Sequence, residues 1–437
     1  MDPTLAGVVG IIIMVFLFMT RMPVAHVMLL IGFIGFAGLV SLKGGMNLLS
    51  RNIYSQFASY DLSTIPLFVL MGQIAFNSGI SKKLYKTAYH FFGGVRGGLA
   101  MTTVSACTAF GAICGSSPAT AATMATVGIP EMKRYGYANS LAAGCVASGG
   151  GLGMIMPPSV VLIIYGVLTE QSIGALFMAG IIPAVLITLL FNCAIYITCR
   201  LNPALGPKGE TFTWSEKLKS LTGLIDTILV FVLVVGGLFW GWFTPTKAAA
   251  IGVLGVTVIS VARRTLTWAG LAKSLQETIR TSCMIMFLVA GAVVFGKFLA
   301  ITRIPFNIAD WVGGLEMAPY MVMAVIVGIY FVGGLFMDSL ALIMLTIPVF
   351  YPVVTGIGYD PIWFGIIIVL VTEMGVITPP VGMNVYVVYG ICQKIAPDIR
   401  LESIFKGIVP FFLAVLAGIV IMTMFPEIVL YLPGLMY

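Results

Sequence analysis

GAICGSSPATAAT, Gly111–Thr123, sets a polar, glycine-bearing tip inside an apolar run, and the next run is interrupted again by GGGLGMIMPPSV, Gly149–Val160. The pairing recurs far along the chain as GGLFMDSLALI, Gly333–Ile343, followed by TEMGVITPPVGMN, Thr372–Asn384. Inside a bilayer, non-helical backbone survives only where protein or a water-filled cavity surrounds it. Duplicated, helix-breaking hydrophobic segments are the best sequence pointer to a transporter's binding site.

Composition sets the class. The chain is 59% hydrophobic and 9% charged, whereas a soluble domain carries roughly 25% charged residues. Apolar runs near spanning length recur from end to end, so the expectation is an all-α polytopic membrane protein and not a barrel. The first run starts at Leu5 with no basic segment or cleavage site before it, which reads as a retained span, not a signal peptide. The net charge of +7 comes from basic residues scattered through short loops. The positive-inside rule accounts for them better than nucleic-acid binding does. Seven cysteines lack ligand-like spacing and read as small packing residues, with neither a disulfide framework nor a metal site.

Crossings are expected near 4–20, 24–42, 62–79, 138–168, 175–198, 224–243, 246–262, 282–301, 361–392 and 405–425. The runs 97–130 and 318–351 are read as re-entrant hairpins, and 138–168 and 361–392 as broken helices. With both termini outside, Lys43, Arg51, Lys247 and Arg303 fall outside and Lys297 within a span. The other eighteen of twenty-three basic residues, Arg21 among them, fall inside. Five crossings separate the two hairpin units, so the units point in opposite directions and form an inverted repeat. The halves are 1–198 and 224–437, joined by a cytoplasmic linker at 199–223. Weaker correspondences keep their order: MTRMPVAHVMLLIG with WFTPTKAAAIGVLG, PLFVLMG with MFLVAG, HFFGGV with DWVGGL, and GIIPAVL with GIVPFFL. Amphipathic stretches near 47–58, 82–92, 267–280 and 304–312 read as interfacial arms or as ordinary connecting helices.

In GSSPAT, Ser117 before Pro118 has the grammar of an N-cap with proline at the first helical position. Asp338 takes the capping part in the second hairpin. Pro157-Pro158 and Pro379-Pro380 restart broken helices, since proline lacks the donor that would continue the preceding turn. Four half-helix N-termini then converge, each favourable to an anion. Helices stopping at Gly115, around Gly149–Gly153, near Gly334 and near Gly375 would leave free carbonyls, hard donors suited to Na⁺. Asp338 and Glu373 are acids placed where an unpaired buried charge is costly, a cost that Na⁺ or H⁺ would offset. Glycine and serine also serve close helix contacts in membranes. For Asp338, capping without ion binding is the competing reading, and Glu373 fits a structural hydrogen bonder equally well.

At these motifs the chain resembles the large membrane subunit of tripartite ATP-independent periplasmic (TRAP) transporters, over essentially all 437 residues. The resemblance implies a Na⁺-coupled elevator in a bacterial inner membrane, importing an organic anion. It implies two further partners, a small membrane subunit of about four spans on a separate chain and a periplasmic substrate-binding protein. It places one Na⁺ site at Ser116, Ser117 and Gly149, Gly150, Gly151 and Gly153. It places another at Gly334, Asp338, Glu373, Gly375 and Thr378, and substrate near Thr120, Pro158, Ser159, Pro380 and Asn384.

Other functions compete. A self-sufficient Na⁺/dicarboxylate elevator symporter shares the architecture and differs in needing no binding protein. An intramembrane serine enzyme needs a base near Ser116 or Ser117, and neither histidine falls in the motifs. A channel has no use for paired broken tips, and no G-x-x-x-x-G-K-[ST] loop marks an ATP-driven pump. The cargo is left open among C4-dicarboxylates, sialic acid and other sugar acids.

Overall fold

Glycine and proline punctuate a chain that is otherwise helix. The computed structural model describes residues 2–20, 22–314 and 318–436. Arg21, and Leu315 at the end of DWVGGL, lie outside them. Helices Pro3–Met19, Val24–Leu39 and Leu42–Phe57 lead into Thr64–Asn77 and Ile80–Phe92. The last two meet at a 67° bend, where Gly79 takes φ 74°, a left-handed conformation that costs glycine little.

The first hairpin pairs Gly98–Cys114 with Ser117–Arg134, and the first broken helix pairs Asn139–Ile155 with Val160–Thr169. Ile173–Leu201 follows. The linker is ordered: Gly97 N–H donates to Gly206 O and Gly209 N–H to Gly93 O, both along the hairpin's entry. It ends in helix Trp214–Ser220, started by a capping box between Thr213 and Glu216.

Past the linker come Ile225–Phe231, a π turn at Val232–Gly236, Gly237–Phe239 and Pro245–Ala262. Trp268–Thr302 then runs unbroken for 35 residues. This corrects the separate 267–280 arm, because TIRTSCMIM holds neither glycine nor proline to break the helix. Ile304–Gly314 precedes the second hairpin, Pro319–Gly334 with Ser339–Gly356. The second broken helix is Pro361–Ile377 with Met383–Ile395, and Leu401–Met424 and Glu427–Gly434 close the chain.

By length and composition, six helices can cross a bilayer among the described residues, or eight if each of two bent pairs counts as one span. The expected crossings at 4–20 and 24–42 are helices of 17 and 16 residues, about a turn short of the ~30 Å apolar thickness. Conversely, Ser339–Gly356, expected as half of a re-entrant hairpin, passes as a span.

The first broken helix is the centre of the molecule, its most apolar stretch 89% buried, whereas Pro245–Ala262 is 33% buried. Ile12, Phe16, Leu254, Val258 and Leu413 point outward. An apolar exterior around a small-residue core is what lipid solvation demands. One buried charge near a helix start is paired: Asp226 accepts from Arg263 at 2.7 Å and faces Lys83 at 3.5 Å, tying the Ile80–Phe92 arm to the Pro245–Ala262 helix.

Candidate site at the interrupted helices

Each interruption is a place where a backbone donor is lost and a side chain answers. At the first hairpin tip Gly115 closes Gly98–Cys114 at φ 62°, and Ser116 is extended. The next helix begins at Ser117, so the expected N-cap shifts by one: Ser116 holds the cap position, without a side-chain cap bond, and Ser117 is helical. Ser117 Oγ is thereby freed to accept from Asn384 Nδ2 at 2.6 Å. At the second tip Asp338 is the N-cap, accepting from Leu340 N–H at 3.2 Å.

The proline pairs break both long helices, and both Pro-Pro bonds are cis. The restarts come later than the prolines themselves, at Val160 and Met383. Ser159 caps the first restart, accepting from Leu162 N–H at 3.4 Å while its own hydroxyl donates to Met154 O. Gly382, in the left-handed region at φ 56°, precedes the second.

The glycine runs do not stop their helices. Asn139–Ile155 continues through Gly149, Gly150, Gly151 and Gly153, and Leu152 O still accepts from Met156 N–H at 3.0 Å. Gly375 likewise lies within Pro361–Ile377, its carbonyl accepting from Thr378 N–H at 3.0 Å. The carbonyls of Gly149, Gly150, Gly151 and Gly375 are therefore taken up, whereas Gly153 O has no intrahelical donor, because Pro157 at its i+4 position lacks an N–H; the helix ends at Gly115 and Gly334 stand as expected.

Close packing is what these glycines serve. A Cβ on Gly111 would sit 2.7 Å from Gly153 Cα, and one on Gly375 would sit 2.5 Å from the carbonyl carbon of Gly334. In each half, then, a hairpin touches its broken helix at the residue four before the Pro-Pro pair.

Two of the contacts between the halves lie at the interruptions. Gly151 and Glu373 each lie six residues before a Pro-Pro pair, and a Cβ on Gly151 would run into Glu373 Oε1. Glu373 is fully buried, and neither carboxylate oxygen has a hydrogen-bond partner among the described residues. It is not the structural hydrogen bonder that was one of its two expected roles. The second contact is Asn384, whose Nδ2 also donates to Ala147 O at 3.2 Å while its Oδ1 stays unpartnered.

The remaining candidates fall around these contacts. Thr120, expected near substrate, lies beside residues expected for the first Na⁺ site: its buried Oγ1, without a partner among the described residues, and Ser116 O both face Gly153. Pro158 O lies against Gly115, and Pro158 and Ser159 are buried. Thr378 Oγ1 donates to Met374 O at 2.5 Å. Pro380 is exposed, so the first Pro-Pro break is enclosed and the second is exposed.

Sequence reasoning passed over Gly111, Ser148 and Ser339. Gly111 and Gly115 form a small-xxx-small pattern that could have marked the contact. Ser148 and Ser339 carry buried hydroxyls without a partner among the described residues, with no sequence signal of their own.

Residues 11–428 match the family described as the tripartite ATP-independent periplasmic transporter, DctM component. The chain belongs to this TRAP transporter family. It is similar to the C4-dicarboxylate TRAP transporter large permease protein DctM of Pseudomonas aeruginosa, 35% identical over 88% of this chain and 89% of that protein. It is also similar to the sialic acid TRAP transporter large permease protein SiaM of Vibrio cholerae, at 32% identity over 90% of each. Among solved structures, the Alcanivorax borkumensis YdaH transporter shares the fold, with a TM-score of 0.69 at 14% identity, covering 98% of this chain and 100% of that one. The protein is thus a multi-pass membrane permease subunit of the TRAP class.

Proposed function

We propose that this TRAP permease is the translocation subunit of a Na⁺-coupled secondary transporter, importing a carboxylate-bearing organic anion by an elevator motion. The observation that carries the reading is the crossing of the two broken helices, where the Glu373 carboxylate lies buried and unpartnered beside Gly151. An ionised carboxylate there needs a counter-ion.

Oxygens suited to a small hard cation collect nearby. Ser116 O and Thr120 Oγ1 face Gly153 in one half, and Asp338, Glu373 and Thr378 stand in the other. Na⁺ held by such groups supplies the gradient's free energy and neutralises the site. The cargo's carboxylate is met by helix N-termini starting at Ser117, Val160, Ser339 and Met383, with Asn384 between the halves. Both hairpins and both broken helices travel as one body along the jointed first helices, as an inverted repeat allows. A binding protein delivers the anion and a small membrane subunit braces the scaffold. Relatives named for C4-dicarboxylate and sialic acid support a carboxylate-bearing organic acid as the cargo.

Uptake into proteoliposomes holding this chain and its small subunit, under an inward Na⁺ gradient, tests this on a panel of organic acids. Uptake that needs both Na⁺ and the binding protein is expected. Uptake with Na⁺ alone would favour a self-sufficient symporter, and uptake indifferent to Na⁺ would remove the coupling ion.

A further inference from the structure

The bond between Ser117 and Asn384 fixes an orientation as well as a distance. Asn384 is fully buried, and its amide nitrogen carries two hydrogens. One goes to Ser117 Oγ at 2.6 Å and the other to Ala147 O at 3.2 Å. Ala147 O can only accept, so a flipped amide would set oxygen against oxygen. The amide therefore holds one orientation, and it leaves Oδ1 buried without a partner among the described residues. Buried polar atoms in proteins nearly always have one.

The free groups beside this amide are donors. Ser117 N–H and Ala119 N–H lie in the first turn of the 18-residue helix Ser117–Arg134 and make no hydrogen bond among the described residues. The Ser117 hydroxyl accepts from Asn384 and donates to no described residue. A helix start with free donors suits a carboxylate. An ionised carboxylate has acceptors only, so it answers the tip and leaves Oδ1 facing another oxygen. A cargo that completes the set carries an O–H close to its carboxylate. Pro379, Pro380 and Val381 are exposed, so solvent comes within three positions of Asn384.

We infer that Asn384 determines specificity: its Oδ1 accepts from a hydroxyl next to the cargo's carboxylate and selects 2-hydroxy acids over the same acids without that hydroxyl. This rests on the carboxylate reading of the cargo and narrows it. The first half supplies the donors and the second half the acceptor, so a cargo bearing both groups is bound by both halves at once.

The test is binding to the purified complex of this chain and its small subunit in Na⁺, read as the ligand-induced shift of the melting midpoint. Omitting the binding protein keeps its own selectivity out of the readout. The ligands are pairs differing in the one hydroxyl: malate and succinate, lactate and propionate, gluconate and 2-deoxygluconate. The hydroxy member of at least one pair is expected to bind about tenfold tighter or more. Asn384→Leu should bring that ratio close to one, whereas a merely structural loss would weaken both members alike. If Asn384→Leu does not insert, Ser117→Ala, which loosens one anchor of the amide, should narrow the ratio. Equal binding within every pair, or a ratio that survives Asn384→Leu, would overturn the inference and leave the carboxylate reading standing. An unchanged ratio with a raised Na⁺ requirement would do the same and assign Oδ1 to the coupling ion. Binding of no acid at all would overturn both readings, and a ratio that holds without Na⁺ would sink only the coupling ion.

Discussion

Gly151 is glycine because the opposing position is Glu373. No side-chain atom fits between the Gly151 α-carbon and Oε1, so Gly151→Ala forces overpacking that costs about 1–3 kcal/mol. Its apparent thermal midpoint in detergent should drop. Adding Glu373→Ala should raise that midpoint above Gly151→Ala alone, and simple additivity would sink the contact. Ser117→Ala removes an acceptor from the buried Asn384 amide, leaving Nδ2 only Ala147 O. Solute uptake should be abolished while membrane insertion persists, as also for Asp338→Ala. The latter additionally loses a helix cap worth about 1 kcal/mol. Wild-type uptake in either variant would remove that residue from the mechanism.

At the scale of the helical element, the tips are held by geometry more than by chemistry. Gly115→Ala combines left-handed strain with a Cβ driven into Pro158 O. Gly136 has a similar φ of 74° and open space around its Cβ position, so Gly136→Ala carries only the strain, about 1–2 kcal/mol. Uptake should therefore fail in Gly115→Ala and survive in Gly136→Ala, and equal effects would refute the tip contact. The breaks themselves were legible in the sequence because each carries a Pro-Pro pair, whereas the single prolines Pro183, Pro348, Pro352 and Pro410 lie inside helices that continue; Asp338 was legible because a cap residue has a recognisable place. Gly149–Gly153 misled for the opposite reason: glycine both ends helices and lets them touch, and neighbouring sequence does not say which. The Ser117–Asn384 bond, spanning 267 positions, leaves no local trace. Nor does the choice of Gly151 as the partner of Glu373.

Across the whole molecule, the two halves are also pinned at one surface. Lys133 Nζ and Asn139 Nδ2 both donate to the Asp398 carboxylate, joining the end of the first hairpin to the loop after the second broken helix. The bond from Lys133, then that from Asn139, holds the Asp398 pKa below its ordinary value. A lowered folded-state pKa contributes stability above the ordinary carboxylate range and loses it as pH falls through the lowered value. Wild type should therefore melt above Asp398→Asn at neutral pH, and the two should converge below about pH 4. A gap that persists in acid would assign the difference to packing instead.

Helix Trp268–Thr302, at 35 residues, is about 52 Å long, well over the ~30 Å apolar thickness of a bilayer. The first half spends the corresponding sequence on two pieces, Leu42–Phe57 and Thr64–Asn77, jointed at Ala58–Tyr60, and both halves then turn, at Gly79 and at Arg303. The halves consequently differ in mechanical compliance. A load applied at Trp268 is carried stiffly to Thr302, whereas the same load at Leu42 is absorbed as rotation at a knuckle before it reaches Asn77. The protein is a stiff mast coupled to a folding strut, and relative displacement of the two concentrates on the strut's side.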